Sequence, residues 1–277
     1  MAERQERTGE FVEALARGLD VIRAFGPTAF SLTVSDVAQR TGLARPTARR
    51  LLLTLEQLGY VRSVEGSYTL TTRTLELGTS YISALGMWEV ARPHLLSLVG
   101  RTGESSSMSQ LDGSDIVYTA RVPVAKIIAF SVKIGTLFPA TATSMGRVLL
   151  ADLDATELEH VLALPSRSGV IPRMVPDRAQ LDESLSSIRE RGWAMSDEML
   201  SIGVRSIAAP VLGPEGRTAA AMNVTVYAAE TSVEHLIGEY LPMLLETASA
   251  VSEEWSNLAL LPTVDEQPPK RRTPRQR

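Results

Sequence analysis

The sequence has no cysteine in its 277 residues. That excludes disulfides, a thiol nucleophile and the usual thiolate zinc sites, and it fits a reducing cytoplasm. Histidine is nearly as scarce: His94, His160 and His235 are the three, each in a separate helical segment. Glu157 and His160 form one Glu-x-x-His, half of a helical di-metal motif that needs a second copy, and the sequence has none. No run approaches the ~18 apolar residues of a membrane span. The start, MAERQERTGE, lacks the apolar stretch of a signal peptide, so a soluble, cytoplasmic protein without membrane contact is expected. Asp197 and Glu198 are neighbours on a predicted strand and point to opposite faces, which makes no acid–base pair. Gly213-Pro214-Glu215-Gly216 is a turn without the spacing of a phosphate loop, and no Walker lysine or Gly-x-Ser-x-Gly occurs. No cofactor, metal or catalysis is expected. Net charge is −4, which excludes a uniformly basic coat for nucleic acid.

What is present concentrates in Thr33 to Tyr60, TVSDVAQRTGLARPTARRLLLTLEQLGY. Thr33 and Asp36 have the spacing of a capping box, and Val34, Val37 and Ala38 share one helical face. Gly42 suits a tight turn, Pro46 the first turn of a second helix, and Gly59 its end. On a wheel, Ala48, Leu51, Leu52, Leu55 and Leu58 gather on one side, and Arg49, Arg50, Leu53 and Gln57 on the other, with Arg45 at the leading end. From Thr33 to Arg62 five arginines (40, 45, 49, 50, 62) face Asp36 and Glu56, a local basic face on an acidic chain. Guanidinium forks suit guanine edges or phosphates, and an exposed leucine suits a thymine methyl. The segments 60–64 and 67–70 around Glu65-Gly66 read as a hairpin, the wing of a winged helix, with Arg62 in reach of a phosphate. Double-stranded DNA is the partner this pattern predicts, with Arg45, Thr47, Arg49, Arg50, Leu53 and Arg62 as its contacts.

Around this core the chain divides into a disordered N-terminus (1–9), a winged helix-turn-helix (10–71), linker helices (72–100), a sensor domain (101–258) and a disordered basic tail (259–277). Phe11, Leu15, Leu19, Ile22 and Phe25 recur at helical spacing and predict a support helix behind the helix pair, and 30–32 a short strand beside the wing. Segments 72–86 and 88–99 are helical, with a break or kink at Pro93; they pair with a second subunit or pack within their own chain. From Glu104 the pattern turns to strands: 105–111, 116–122 after an Asp-Gly turn, 126–132, 193–199, 206–212 and 219–228. Helices are expected at 144–151, 156–162, 181–191 and 232–255. Strands with helices beside them but no strict alternation predict an α+β domain on an antiparallel sheet. The tail PPKRRTPRQR adds weak attraction to DNA or is simply solvated.

Polar residues interrupt otherwise apolar strands: Ser206 in VRSIAAPV, and Asn223 and Thr225 on one face of AMNVTVY. Ser144 and Met145 precede a helix whose free amides favour an anion. Such groups either line a half-apolar pocket for a small organic acid or are hydrogen-bonded within the core.

With these elements in this order the chain resembles the IclR family of bacterial transcription regulators over about residues 10 to 256. The stretches that carry the resemblance are LARGLDVIRAFG, the helix-turn-helix, ATSMGRVLLA (142–151) and GVRSIAAPV with AAAMNV. The wording FVEALARGL, RRLLLTLEQLGY and RSIAAPV is most similar to the PcaR, PcaU and PobR type, which governs protocatechuate and 4-hydroxybenzoate breakdown through the β-ketoadipate pathway. The resemblance implies a GAF-like effector domain, a homodimer or homotetramer on a palindromic or repeated operator, and RNA polymerase as a further partner if the protein activates. It implies a pocket of Ile127, Phe130, Ser144, Met145, Ser196, Val204, Ser206, Asn223 and Thr225, with Arg147 and Arg205 as carboxylate partners or structural cations. Relatives with small-acid effectors carry a smaller pair at Ser144-Met145 and serines at Asn223 and Thr225. The departure here points to a longer acid, β-ketoadipate or protocatechuate.

Overall fold

Thr33 makes the corner on which the N-terminal half turns. Its hydroxyl accepts from the Asp36 amide at 3.2 Å, and the Asp36 carboxylate accepts from the Thr33 amide at 2.8 Å. This reciprocal cap starts helix α2 (Val34–Thr41), and Gly42 at φ 68 ends it. Helix α3 (Arg45–Gln57) begins with Pro46 in its first turn and buries Ala48, Leu52 and Leu55. The computed structural model describes residues 11–26, 28–77, 87–125 and 132–259. It divides into two compact units, Met1–Ala84 and Leu85–Arg277. The tail expected at 1–9, all but the first residue of the tail expected at 259–277, most of the strand expected at 126–132, Ile127 and Phe130 within it, and linker residues 78–86 lie outside the described residues.

In the first unit, helix α1 (Glu13–Arg23) and helices α2 and α3 close over Val21, Phe25, Val37, Leu52 and Leu55. Strand β1 (Leu32–Thr33) pairs with β3 (Ser67–Leu70), which pairs with β2 (Val61–Val64). The turn between β2 and β3 holds Glu65 at φ 50 and Gly66 at φ 81, the doubly left-handed turn that matches strand twist. Two expectations need correction. Leu58 is 51% exposed, because α3 stops at Gln57 and Leu58 falls on the cap rather than the buried stripe. Leu15 and Leu19 of the support helix are also exposed, whereas Val21 is fully buried. At 100° per residue Leu19 and Val21 stand roughly 160° apart, so one narrow interface cannot cover both. The apolar arc is wider than a single packed stripe.

The second unit is a six-stranded antiparallel sheet in the order β6-β5-β4-β9-β8-β7. Its strands are β4 (Ser105–Asp112), β5 (Asp115–Val122), β6 (Leu137–Pro139), β7 (Ala194–Asp197), β8 (Val204–Leu212) and β9 (Thr218–Tyr227). One face packs on helix α4 (Met87–Thr102) and on the closing helix α8 (Leu241–Ala259) through Leu95, Leu98, Met108, Met222, Leu244 and Val251. The other packs on α5 (Ser144–Ala151), α6 (Ala155–Ala163) and α7 (Arg178–Arg191) through Tyr118, Met145, Leu150, Leu185 and Ala221. Expected as part of a linker with a break or kink at Pro93, α4 is not broken there: it runs through the proline and belongs to this core. Pro93 sits on its exposed side, while Val90, Ala91, Leu95 and Leu98 bury the opposite side. That burial outweighs one lost backbone bond. Helix α5 lies against backbone: a Cβ added at Gly146 would stand 2.1 Å from the Ala140 carbonyl oxygen, a distance only glycine permits.

Candidate functional sites

On α3, Arg45, Arg49, Arg50 and the 38%-exposed Leu53 face outward. With Val34 and Pro46 they edge a shallow hollow between α2 and α3. Among the described residues, no intramolecular hydrogen bond or ion pair holds the three guanidinium groups, so their donors are available to a partner. Thr47 is half-buried at the base of this face. Arg62 stands on the wing, where its Nε donates to the Thr69 hydroxyl at 3.2 Å. That bond fixes the stem and leaves the terminal nitrogens to point elsewhere. The cap at Thr33, the turn at Gly42 and the proline at Pro46 together set where this basic face begins.

In the second unit a cavity opens between the sheet and the start of α5. Its walls include Ser144, Met145, Ser196, Val204, Ser206, Asn223 and Thr225. These are the described residues of the pocket that the family resemblance implies. Strand register explains why they meet. Ser196 pairs with Ser206, Ser206 with Thr225, and Thr225 with Ser105, a row of hydroxyls across four strands. A parallel row runs Arg121, Ser107, Asn223, Ala208. The Ser144 and Ser206 hydroxyls bond each other at 2.7 Å. Thr143 caps α5 through the Gly146 amide at 3.0 Å, so the positive end of that helix meets the cavity. The empty space among these walls is about 930 Å³, open solvent included.

The cavity contains residues the sequence reading did not single out. Tyr118 and Phe138 supply an aromatic wall, stacked edge to face with centroids 5.6 Å apart. Burial pushes the Tyr118 phenol up to about 12, so it stays neutral. Arg121 is the notable cation: its one recorded bond is Nη1 to the Ser107 hydroxyl at 3.0 Å. Burial pulls its pKa down, and Tyr118 partly offsets that. Strict alternation along IVYTARV puts Tyr118 and Arg121, three apart, on opposite faces. The β4–β5 ladder shifts register between Met108 and Ser109, so that Ser109 faces Tyr118 and Ser107 faces Arg121. This bulge brings both side chains to the cavity side, and a single sequence carries no signal of it.

The cations proposed from the sequence lie elsewhere. Arg205 is committed to Asp197 at 2.7 and 3.1 Å and to the Thr231 carbonyl at 2.7 Å, a structural clamp. Arg147 is not among the cavity's lining residues; it bonds Ser184 and the Met195 carbonyl. Asn223 has a fold task as well as a wall position. Its Oδ1 accepts from the Ser107 amide at 3.0 Å and its Nδ2 donates to Thr225 at 3.0 Å. Glu157 caps α6 through Asp154 and pairs with Arg217 at 2.8 Å, which accounts for the Glu-x-x-His. Among the described residues no group of three or more His, Asp or Glu gathers for a metal. No helix among them is long and apolar enough to cross a membrane.

A winged helix with unpaired arginines and a separate domain with a small-molecule cavity define the ligand-responsive class of DNA-binding regulators. Residues 14–65 match the IclR helix-turn-helix domain and residues 79–253 the family described as bacterial transcriptional regulator IclR C-terminal. The chain therefore belongs to the IclR family of bacterial transcriptional regulators, and not to a family of enzymes. It is 35% identical to the Pca regulon regulatory protein of Pseudomonas putida, over 85% of this chain and 81% of that one. A crystal structure from Rhodococcus sp. RHA1 shares 46% identity at TM-score 0.78, covering 90% of this chain and 100% of that one. An IclR homolog complexed with 4-hydroxybenzoate, from Microbacterium hydrocarbonoxydans, shares 25% identity at TM-score 0.77, covering 88% and 99%.

Proposed function

We propose that this regulator controls genes of aromatic-acid catabolism, and that a hydroxylated aromatic acid held in the C-terminal cavity sets its activity at an operator. The observation that carries the ligand half is Arg121, a cavity-lining guanidinium with a neutral serine as its recorded partner. A carboxylate is the group that satisfies it, by a charge-assisted pair. Tyr118 and Phe138 offer aromatic faces to a ring, and the Ser144–Ser206 hydroxyls beside the α5 N-terminus offer partners to a phenol or second carboxylate. Protocatechuate fits this layout better than flexible β-ketoadipate. The names of the relatives support the same chemistry: one regulates a Pca regulon, and another was crystallised with 4-hydroxybenzoate.

The DNA half rests on α3. Arg45, Arg49, Arg50 and Leu53 enter the major groove, Thr47 stands at the entry, and Arg62 of the wing meets a phosphate. Two copies on a two-fold operator form the working unit, as homodimer or homotetramer; the exposed Leu15 and Leu19 of α1 are apolar surface available to a second copy. RNA polymerase is a further partner if the bound form activates. For the acid to regulate, it must bind the operator-competent form with an affinity different from the other form. A gel shift on the DNA upstream of the gene and its neighbours, with protocatechuate, 4-hydroxybenzoate and β-ketoadipate, tests both halves. The expected result is a specific shift changed by protocatechuate. A specific shift indifferent to all three acids removes the aromatic-acid assignment and leaves the operator reading standing.

A further inference from the structure

A second cavity in the C-terminal unit borders the same helix α5, away from the residues that line the first. Arg147, Gln180 and Ser184 line it together with Met174, Val175 and Met199. Its free space is about 830 Å³ by the same measure. Arg147 is more than nine-tenths buried, with 8% of its surface exposed. Its Nη1 donates to the Ser184 hydroxyl at 3.2 Å and its Nη2 to the Met195 carbonyl, while its buried Nε has no partner. No carboxylate pairs with it among the described residues, and the charge acting on it is a second cation, Arg191. Burial, then Arg191, lowers its pKa to about 10, so at neutral pH it remains fully charged. A buried charge is ordinarily paired or neutralised. Here it is neither, and a cavity stands beside it.

We propose that this cavity is a second binding site, for a small oxyanion, distinct from the aromatic-acid site. The polar groups suit that chemistry. Gln180 uses its Oε1 to accept from the Asp177 amide at 3.0 Å, which leaves its amide nitrogen as a donor. Ser184 is half-buried one turn further along α7 and already touches the guanidinium. Met174, Val175 and Met199 give apolar walls that fit the carbon chain of a short carboxylic acid; an inorganic phosphate needs only the polar end. The two cavities have no lining residue in common but draw on the same elements. Helix α5 gives Met145 to one and Arg147 to the other, and the β7–β8 loop gives Leu200 to one and Met199 to the other. An occupant here therefore stabilises the frame that holds the aromatic-acid site.

The test is thermal melting of the full-length protein with sodium acetate or inorganic phosphate, against sodium chloride at matched ionic strength. The wild type is expected to melt roughly 2–4 °C higher with at least one of the two oxyanions. A response to acetate alone assigns a carboxylate site, and a response to phosphate alone a phosphate site. The Arg121→Met variant, lacking the cation of the first cavity, is expected to keep the full rise. Ser184→Asp supplies the anion internally and is expected to melt higher without added salt and to lose most of the rise. Gln180→Glu, at an exposed position where glutamate still serves the capping box, is expected to blunt it as well. Loss of the rise in Arg121→Met, retention of the full rise in both the Ser184 and Gln180 variants, or no response beyond chloride would overturn the proposal.

Discussion

The two units solve recognition in opposite ways. In the N-terminal unit the candidate contacts sit mostly on one helix, within nine residues of sequence, exposed and with their donors unoccupied. In the C-terminal unit the cavity draws on six strands and one helix spread over some 120 residues, and most of its polar atoms already bond one another. A repeating polyanion such as DNA can be met by a row of free charges whose placement is set by helical period. A small acid needs a concave shape that surrounds most of it, and that shape exists only once strands are in register. Damage should accordingly be local in the first unit and distributed in the second.

The largest effect expected is on the smaller core. Leu52→Ala removes a fully buried side chain of the first unit and should cost roughly 2–5 kcal/mol. Operator shifts should vanish while calorimetric acid binding persists; loss of both would mean that the units do not fold separately. Gly146→Ala is the mirror experiment. It forces a methyl onto the Ala140 carbonyl at a cost of roughly 1–3 kcal/mol, and should weaken acid binding while specific DNA binding survives. Arg121→Met should weaken acid binding by about 1.5–3 kcal/mol, the value of a charged hydrogen bond, without altering the ligand-free gel shift. An unchanged affinity would show that the carboxylate lies elsewhere in the cavity. Arg49→Ala or Arg50→Ala should cost about 1–3 kcal/mol at the operator if it reads a base; equal weakening on unrelated DNA would mark a phosphate contact. The smallest effect is at the wing, where Glu65→Gly relieves a left-handed backbone and should stabilise by less than ~1 kcal/mol, detectable as a small rise in melting temperature.

The same contrast explains what the sequence disclosed. Cap, turn and stripe at Thr33, Gly42, Pro46 and Leu52 are local signals, and the structure holds them where the spacing placed them. Apolar surplus misled in the same unit, because a wheel cannot tell a buried leucine from Leu15 or Leu58, which remain exposed. In the second unit, Ser206, Asn223 and Thr225 were visible as polar interruptions on apolar strands. The tertiary tasks of Arg205 and Arg147 were not, since Asp197 and Met195 reach them only through strand pairing and packing. Asn223 shows the limit most plainly: its bond to the Ser107 amide crosses 116 positions. A bulky apolar residue there should disturb the sheet together with the cavity, not the cavity alone.

The register shift between Met108 and Ser109 has a bearing on kinship. With the bulge, Tyr118 and Arg121 keep company at a spacing of three; in a strand without one, the same two side chains keep company at a spacing of two. A relative one residue shorter in this strand can therefore carry the same aromatic and cationic pair in unmatched columns of a gap-free alignment. Inheritance of ligand chemistry in such chains is traced by which face a residue occupies, and a single gap at position 119 is where two lineages with one pocket would differ.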